Sequence, residues 1–265
     1  MKKVVIMGAS SGIGLAVAKA FASRGVKVGL AARRTETLAD LRKTYPGFVE
    51  FESIDITRPD APEKLNSLIG RLGGMDIYVH VAGIGYENLT LEPEREVKII
   101  ETNAGGFVRM TCAAYRYFRA EGRKGSIVAV TSVAGTNGIG RLSAYSSSKK
   151  CAQTYLVALE QLARAEKADV SFTDIRPGWI RTPLLLPDTK YPMEMDLDYA
   201  LPLIIKAIVR RPRVAYIDAR WQALAEVWKR LPNPVWTRLR FKISHPDAKL
   251  PGRAGIANSL RQENS

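Results

Sequence analysis

The chain has 265 residues, enough for one α/β domain with a core on both faces of a sheet. Hydrophobic residues make up 46%, yet no apolar run approaches the ~18 residues that a membrane-spanning helix needs. Basic residues outnumber acidic ones by 40 to 26, and the segment from Lys206 to Ser265 alone holds 13 basic and 4 acidic residues, so a solvated basic surface or contact with something anionic is expected there.

Lys2 and Lys3 precede Val4–Met7 in a pattern that superficially resembles a signal peptide. The apolar run is short and meets Gly8, so a first buried strand is expected instead. Gly8, Ala9, Ser10, Ser11, Gly12, Ile13 and Gly14 then form a glycine-rich turn into a helical pattern over Ile13–Arg24. Further strand-like runs are Val26–Ala31, Phe48–Ile54, Ile77–Val81, Ser126–Thr131, Val170–Ile175 and Val214–Ile217, with helical patterns over Glu94–Glu121 and Ser143–Lys167. The alternation predicts right-handed crossovers and a doubly wound parallel sheet, Rossmann-like, in a single α/β domain over residues 1–220. Pro183, Pro187, Pro192 and Pro202 predict an irregular lid at about 182–212. Residues 221–265 form a basic, Trp-rich extension with helical spacing at Trp221, Leu224, Trp228 and Leu231. Cys112 and Cys151 fall in helical, mostly apolar contexts, which fits packed thiols in a reducing cytoplasm.

The chemistry concentrates in a few places. Glycines let a backbone turn sharply and approach a pyrophosphate, whose charge suits a helix N-terminus. Tyr145 and Lys149 stand four residues apart in a helical pattern, on one face, with Ser132 upstream. A tyrosine of intrinsic pKa about 10 needs ~4 kcal/mol of phenolate stabilisation to work near neutral pH. One cation ~4 Å away at an effective dielectric of about 20 supplies ~4 kcal/mol, so Lys149 is expected to lower the Tyr145 pKa enough for general acid–base work. At the end of the second strand, Ala32, Arg33 and Arg34 offer no carboxylate to repel a 2′-phosphate, and a guanidinium grips phosphate with paired bonds, so NADPH is expected over NADH. Arg33 is the main contact; Arg34 is equally readable as a solvated arginine.

These motifs in this order resemble the classical short-chain dehydrogenase/reductase family over roughly residues 1–220. Its glycine motif matches at Gly8, Gly12 and Gly14, with Met7 in place of the usual threonine; its Asn, Ser, Tyr and Lys match Asn103, Ser132, Tyr145 and Lys149; its Pro-Gly and following threonine match Pro177, Gly178 and Thr182. The resemblance implies cofactor contacts from Gly8, Ser10, Ser11, Gly12, Ile13, Gly14, Arg33, Arg34, Asp55, Ile56, Ala82, Gly83, Tyr145, Lys149, Pro177, Gly178, Ile180 and Thr182. Asp55 stands at the family's adenine-contacting position and is equally readable as a turn aspartate. Where the family carries Asn-Asn-Ala-Gly this chain has His80, Val81, Ala82 and Gly83; His80 either replaces an asparagine hydrogen bond or is structural.

The resemblance further implies hydride transfer between a nicotinamide and a carbonyl or secondary alcohol. Tyr145 protonates the alkoxide, Ser132 stabilises it, Lys149 also holds the ribose, and Asn103 fixes a water that resupplies protons through Lys149. No metal is expected. Leu184, Leu185, Leu186, Tyr191, Met193 and Met195 suit either an apolar substrate pocket or simple lid packing. Two alternatives stand: a 3-oxoacyl thioester reductase, whose basic tail receives an acidic carrier, and a non-catalytic NADPH-sensing or scaffold protein. No nucleic-acid recognition motif accompanies the charge. Homo-oligomerisation is expected through the helices carrying Tyr115, Phe118, Cys151, Tyr155 and Leu159. The protein is expected to be cytoplasmic. Its Trp-rich stripe, flanked by Arg220, Lys229, Arg230, Arg238, Arg240 and Lys242, is expected either to rest on an anionic membrane surface or to pack on the domain itself.

Overall fold

A computed structural model describes residues 2–186 and 189–239. Seven parallel strands form one sheet in the order β3-β2-β1-β4-β5-β6-β7: β1 (Lys3–Met7), β2 (Lys27–Ala32), β3 (Val49–Ser53), β4 (Ile77–His80), β5 (Gly125–Val130), β6 (Val170–Pro177) and β7 (Val214–Ile217). Residues 4–7 of β1 are buried because helices cover both sides. Val4 and Ile6 face a core shared with α1 (Gly12–Ala22), α2 (Glu36–Thr44) and α7 (Leu197–Arg210), while Val5 and Met7 face α3 (Ala61–Leu72), α5 (Phe107–Glu121) and α6 (Ser143–Ala165). Strand order reverses between β1 and β4, and a crevice opens there beyond the strands' C-terminal ends, where doubly wound sheets take ligands.

Two expectations need correction, and one open alternative is decided. The helix expected over Glu94–Glu121 is interrupted: α4 (Pro93–Ile100) passes into a π-helical turn, Glu101–Gly106, before α5. The wider turn carries Asn103, and a Cβ on Gly106 would lie 2.6 Å from Ile56, so the small residue lets this turn meet the β3–α3 loop. The lid is shorter than 182–212. From Leu197 onward the chain is helical, and α7 buries Ala200, Ile204, Ala207 and Ile208 with Pro202 inside it. Finally, the tryptophan stripe faces inward. The helix α8 (Ala219–Arg230) buries Trp221 and Ala225, and the short α9 (Asn233–Trp236) buries Trp236, so these rings pack on the chain's own domain rather than forming a face for lipid. Arg240 and Lys242 lie outside the described residues. No helix among the described residues is long and apolar enough to cross a membrane.

Candidate active site

A cleft of about 530 Å³ lies over the switch point, and its two ends are built from different material. At one end the wall is backbone. Gly8 adopts φ +95°, and its N–H and that of Ala9 both donate to the Ala31 carbonyl. A Cβ on Gly14 would lie 2.1 Å from the Gly8 carbonyl oxygen, so only glycine lets α1 start against this turn. Ser10, Ser11, Gly12 and Ile13 line the cleft at the positive end of α1. Arg33, Arg34, Asp55, Ile56, Ala82 and Gly83 line it as well. Asp55 accepts hydrogen bonds from the Thr57 N–H at 3.0 Å and hydroxyl at 2.8 Å, so a turn aspartate and a cleft residue coincide. Burial works to raise its carboxyl pKa, but the Thr57 bonds and the nearby Arg33 and Arg58 charges hold it below the ordinary value.

The chemistry-bearing side chains meet at the middle of the cleft. Ser132 follows β5; its Oγ accepts from the Ala134 N–H at 3.1 Å and donates to the Pro177 carbonyl at 3.5 Å. One turn apart on α6, Tyr145 and Lys149 project toward it, with the ammonium 5.5 Å from the phenol ring centroid and donating to the Val130 carbonyl at 3.3 Å. The expected electrostatics are corrected here. Desolvation of the phenol raises the Tyr145 pKa, and the group that opposes this is the Ser132 hydroxyl, not Lys149. Burial lowers the Lys149 pKa to about 8, opposed by the Asp174 carboxylate, so the ammonium is itself close to losing its proton. A full charge beside the phenolic oxygen would lower its pKa; in the structure the ammonium is desolvated and lies over the ring.

Asn103 does not line the cleft. Its amide donates to the Ile84 carbonyl at 2.7 Å and to Ser148 Oγ at 3.2 Å, and its Oδ1 accepts from the Ile84 N–H at 2.8 Å. It therefore pins the loop after β4 against α6. That loop passes so close that a Cβ on Gly85 would lie 2.7 Å from the Tyr145 ring. Gly85 and Ile84 were not anticipated, because nothing local in the sequence marks a contact across sixty residues. His80 is buried beneath this loop: Nδ1 shares a hydrogen bond of 2.9 Å with the Tyr78 hydroxyl, and Phe107 stands edge-on at 4.9 Å. Burial, with the Lys149 charge adding to it, pushes the His80 pKa down to about 3, while the Ala82 backbone works the other way.

At the far end the wall is aromatic. Pro177, Gly178, Ile180 and Thr182 lead out of β6 along the cleft. Trp179 stacks on Tyr191 with centroids 4.5 Å apart, and Trp221 presses on Gly178 so closely that a Cβ there would lie 2.0 Å from the indole. Trp221 Nε1 donates to the Met193 carbonyl at 3.3 Å, tying α8 to the lid, while Trp236 Nε1 donates to the Gly138 carbonyl at 2.6 Å. Ile139, Leu142 and Trp228 complete an apolar wall against which Tyr145 packs. Trp179 was not singled out from sequence, although its place directly after Pro177 and Gly178 marks it as cleft-facing.

Comparisons with known proteins agree with this geometry. A family model described as short chain dehydrogenase matches residues 2–190. An uncharacterized oxidoreductase of Myxococcus xanthus is 33% identical over 244 residues, covering 89% of this chain and 94% of the relative. Among solved structures, an alcohol dehydrogenase of Thermococcus sibiricus complexed with 5-hydroxy-NADP has a TM-score of 0.68 at 27% identity, covering 82% of this chain and 94% of that one. Actinorhodin polyketide ketoreductase with NADPH has a TM-score of 0.62 at 28% identity, covering 69% of this chain and 72% of that one. The chain belongs to the short-chain dehydrogenase/reductase family and is an oxidoreductase of that family.

Proposed function

We propose that this protein is an NADPH-dependent carbonyl reductase, or the reverse alcohol dehydrogenase, acting on an uncharged apolar substrate. The observation that carries the reading is the meeting of Ser132, Tyr145 and Lys149 between a glycine-walled end and an aromatic-walled end of one cleft. The residues present fit a dinucleotide: the Gly8–Gly14 turn leaves no room for side chains against the α1 N-terminus, and Arg33 with Arg34 supplies cationic forks for a 2′-phosphate. The two ligand-bearing structures described above support the same choice of cofactor.

NADPH bound along this turn supplies the hydride. The protein's own part is positional and electrostatic. Ser132 Oγ donates to the substrate oxygen and stabilises charge that develops there, mainly in the transition state. The Tyr145 hydroxyl delivers the proton to that oxygen. Lys149 lies over the Tyr145 ring and would hold the nicotinamide ribose, while Asn103 supports both through the Ile84 loop and Ser148. Trp179, Tyr191, Trp221 and Trp228 form an apolar receptacle, and among the described residues lining the cleft Glu87 pairs with Arg141 at 2.7 Å and Arg95 with Glu92 at 3.6 Å. The exposed Val97, Ile100, Val157 and Leu162 on the outer faces of α4 and α6 suit a homo-oligomeric contact, to be checked by light scattering at micromolar concentration.

A steady-state panel of aliphatic and aromatic ketones, keto acids and 3-oxoacyl thioesters, each with NADPH and NADH, tests the reading. The expected outcome is turnover of neutral apolar carbonyls with a clear NADPH preference. Equal kcat/KM for both cofactors, or turnover confined to anionic substrates, would contradict it.

A further inference from the structure

The helix α6 turns one polar stripe toward the sheet: Lys149 and Gln153, four residues apart, are buried together with Leu156. Opposite them, on the face of β6 that α6 covers, stand Asp174 and Arg176, two residues apart on one side of the strand. A carboxylate that is only 5% exposed is costly unless its lone pairs are occupied, and here they are. Asp174 Oδ1 accepts from the Thr131 hydroxyl at 2.5 Å, and Oδ2 accepts from Arg176 Nε at 2.7 Å with Nη2 at 2.6 Å. Arg176 in turn donates to the Tyr216 hydroxyl at 3.2 Å. Thr131 immediately precedes Ser132, and Gln153 Nε2 bridges the two, donating to the Ser132 carbonyl at 2.8 Å and to Thr131 Oγ1 at 3.4 Å. A Cβ on Gly135 would lie 2.6 Å from that amide nitrogen, so the turn after Ser132 is fitted closely around Gln153.

We propose that Asp174 is a positioning residue of the active site: anchored by Arg176, its carboxylate holds the Thr131–Ser132 turn and supplies the negative charge that the Lys149 ammonium faces inside the protein. This inference rests on the reading of Ser132, Tyr145 and Lys149 given above. Thr131 has two roles in it, donor to the carboxylate and backbone neighbour of the serine, so a shift of Asp174 is transmitted to Ser132 through one residue. The second arm is electrostatic. The Lys149 ammonium donates to the Val130 carbonyl at 3.3 Å, one residue before the Thr131 that Asp174 holds; neutral His80 on β4 and Tyr145 on its own helix are its other titratable neighbours, and the Asp174 charge favours the ammonium against burial. Asp174 itself is faced by Arg176, by Thr131 from β5 and by the Arg213 backbone carbonyl, which accepts its N–H at 2.9 Å; the Arg213 and Glu160 side chains pair with each other at 2.6 Å nearby.

The test is a titration of the Lys149 Nζ resonance in ligand-free, nitrogen-15-labelled protein, identified as the signal lost in Lys149→Met. In Asp174→Asn it is expected to lose its proton about one pH unit or more below wild type, because the charge that stabilises the ammonium is gone. In Arg176→Gln, which keeps the carboxylate and removes its cationic partner, the same signal is expected to move to higher pH. If Asp174→Asn does not fold, the Arg176→Gln shift decides alone. The alkaline limb of kcat/KM should follow both shifts, whereas a purely structural role would lower kcat without moving the limb. An unchanged Lys149 titration in a folded variant, or a shift of opposite sign, would overturn the inference. Failure of wild-type NADPH turnover alongside the expected titration would instead overturn the function proposed for the site.

Discussion

The dinucleotide end of the cleft is walled by main chain and the far end by rings, and the two places respond differently to substitution. Along Gly8–Gly14 a single added carbon meets a carbonyl oxygen at 2.1 Å, because the turn and the helix start are packed to contact with nothing spare. Around Trp179, Tyr191, Trp221 and Trp228 the surface is made of side chains from the lid, the segment after β6 and α8, and it is shaped by rings instead of by main chain. A fold can therefore hold one cofactor geometry constant while the other end of the cleft is recut for a different substrate.

The sharpest way to break this division is Tyr145→Phe, at the boundary between the ends. Loss of the general acid should lower kcat by roughly 10²- to 10⁴-fold. NADPH affinity, measured by fluorescence titration, should stay near wild type, since the Gly8–Gly14 turn and Arg33 are untouched. Arg33→Ala acts at the dinucleotide end alone. It should raise the KM for NADPH by about 10- to 150-fold, a loss of ~1.5–3 kcal/mol for one charge-assisted phosphate contact, with little change for NADH. An equal change for the two cofactors would remove Arg33 from the 2′-phosphate.

Gly178→Ala should join the two ends. The new Cβ must displace the Trp221 ring, which holds the lid through Met193, and overpacking of this kind costs ~1–3 kcal/mol. Both the NADPH and the substrate KM should rise and the melting temperature should fall; a change in only one KM would argue that the ends are not mechanically linked. The last effect shows only in acid and is expected beneath the cleft, at His80. Its folded pKa of about 3 is below its ordinary 6.5, so the unfolded chain binds more protons between these values and the native state loses stability as pH falls through that window. The slope approaches ~1.4 kcal/mol per pH unit, and His80→Gln should flatten it in urea unfolding series at pH 6.5, 5 and 4. Parallel curves for the two proteins would show that His80 is not the acid-sensitive group.

What could be read without coordinates follows the same divide. The glycine turn, the Arg33–Arg34 pair and the Tyr145–Lys149 spacing are local patterns, and the structure brings them to one cleft. Asn103 was identifiable from its order in the chain, but not its bonds to Ile84 and Ser148, which depend on a π-helical turn that periodicity cannot reveal. The spacing predicts a full Lys149 charge beside the phenol; the burial of that ammonium, and the Asp174 carboxylate brought alongside by the packing of α6 on β6, are invisible in spacing. The tryptophans of α8 and α9 read as a lipid face or, as the commoner case, a packed face, because an amphipathic stripe has the same periodicity whichever surface it covers.

The central claim is that hydride supplied at the glycine-walled end reaches an uncharged carbonyl held at the aromatic-walled end. Its most direct test is a reaction of the wild-type protein with NADPH deuterated at the transferable position and a neutral apolar ketone, with the alcohol product examined by mass spectrometry and proton NMR. One deuterium is expected on the carbinol carbon, delivered to one face, with no such product from Tyr145→Phe on the same timescale. Alcohol without deuterium, or undiminished deuterium transfer in Tyr145→Phe, would contradict it.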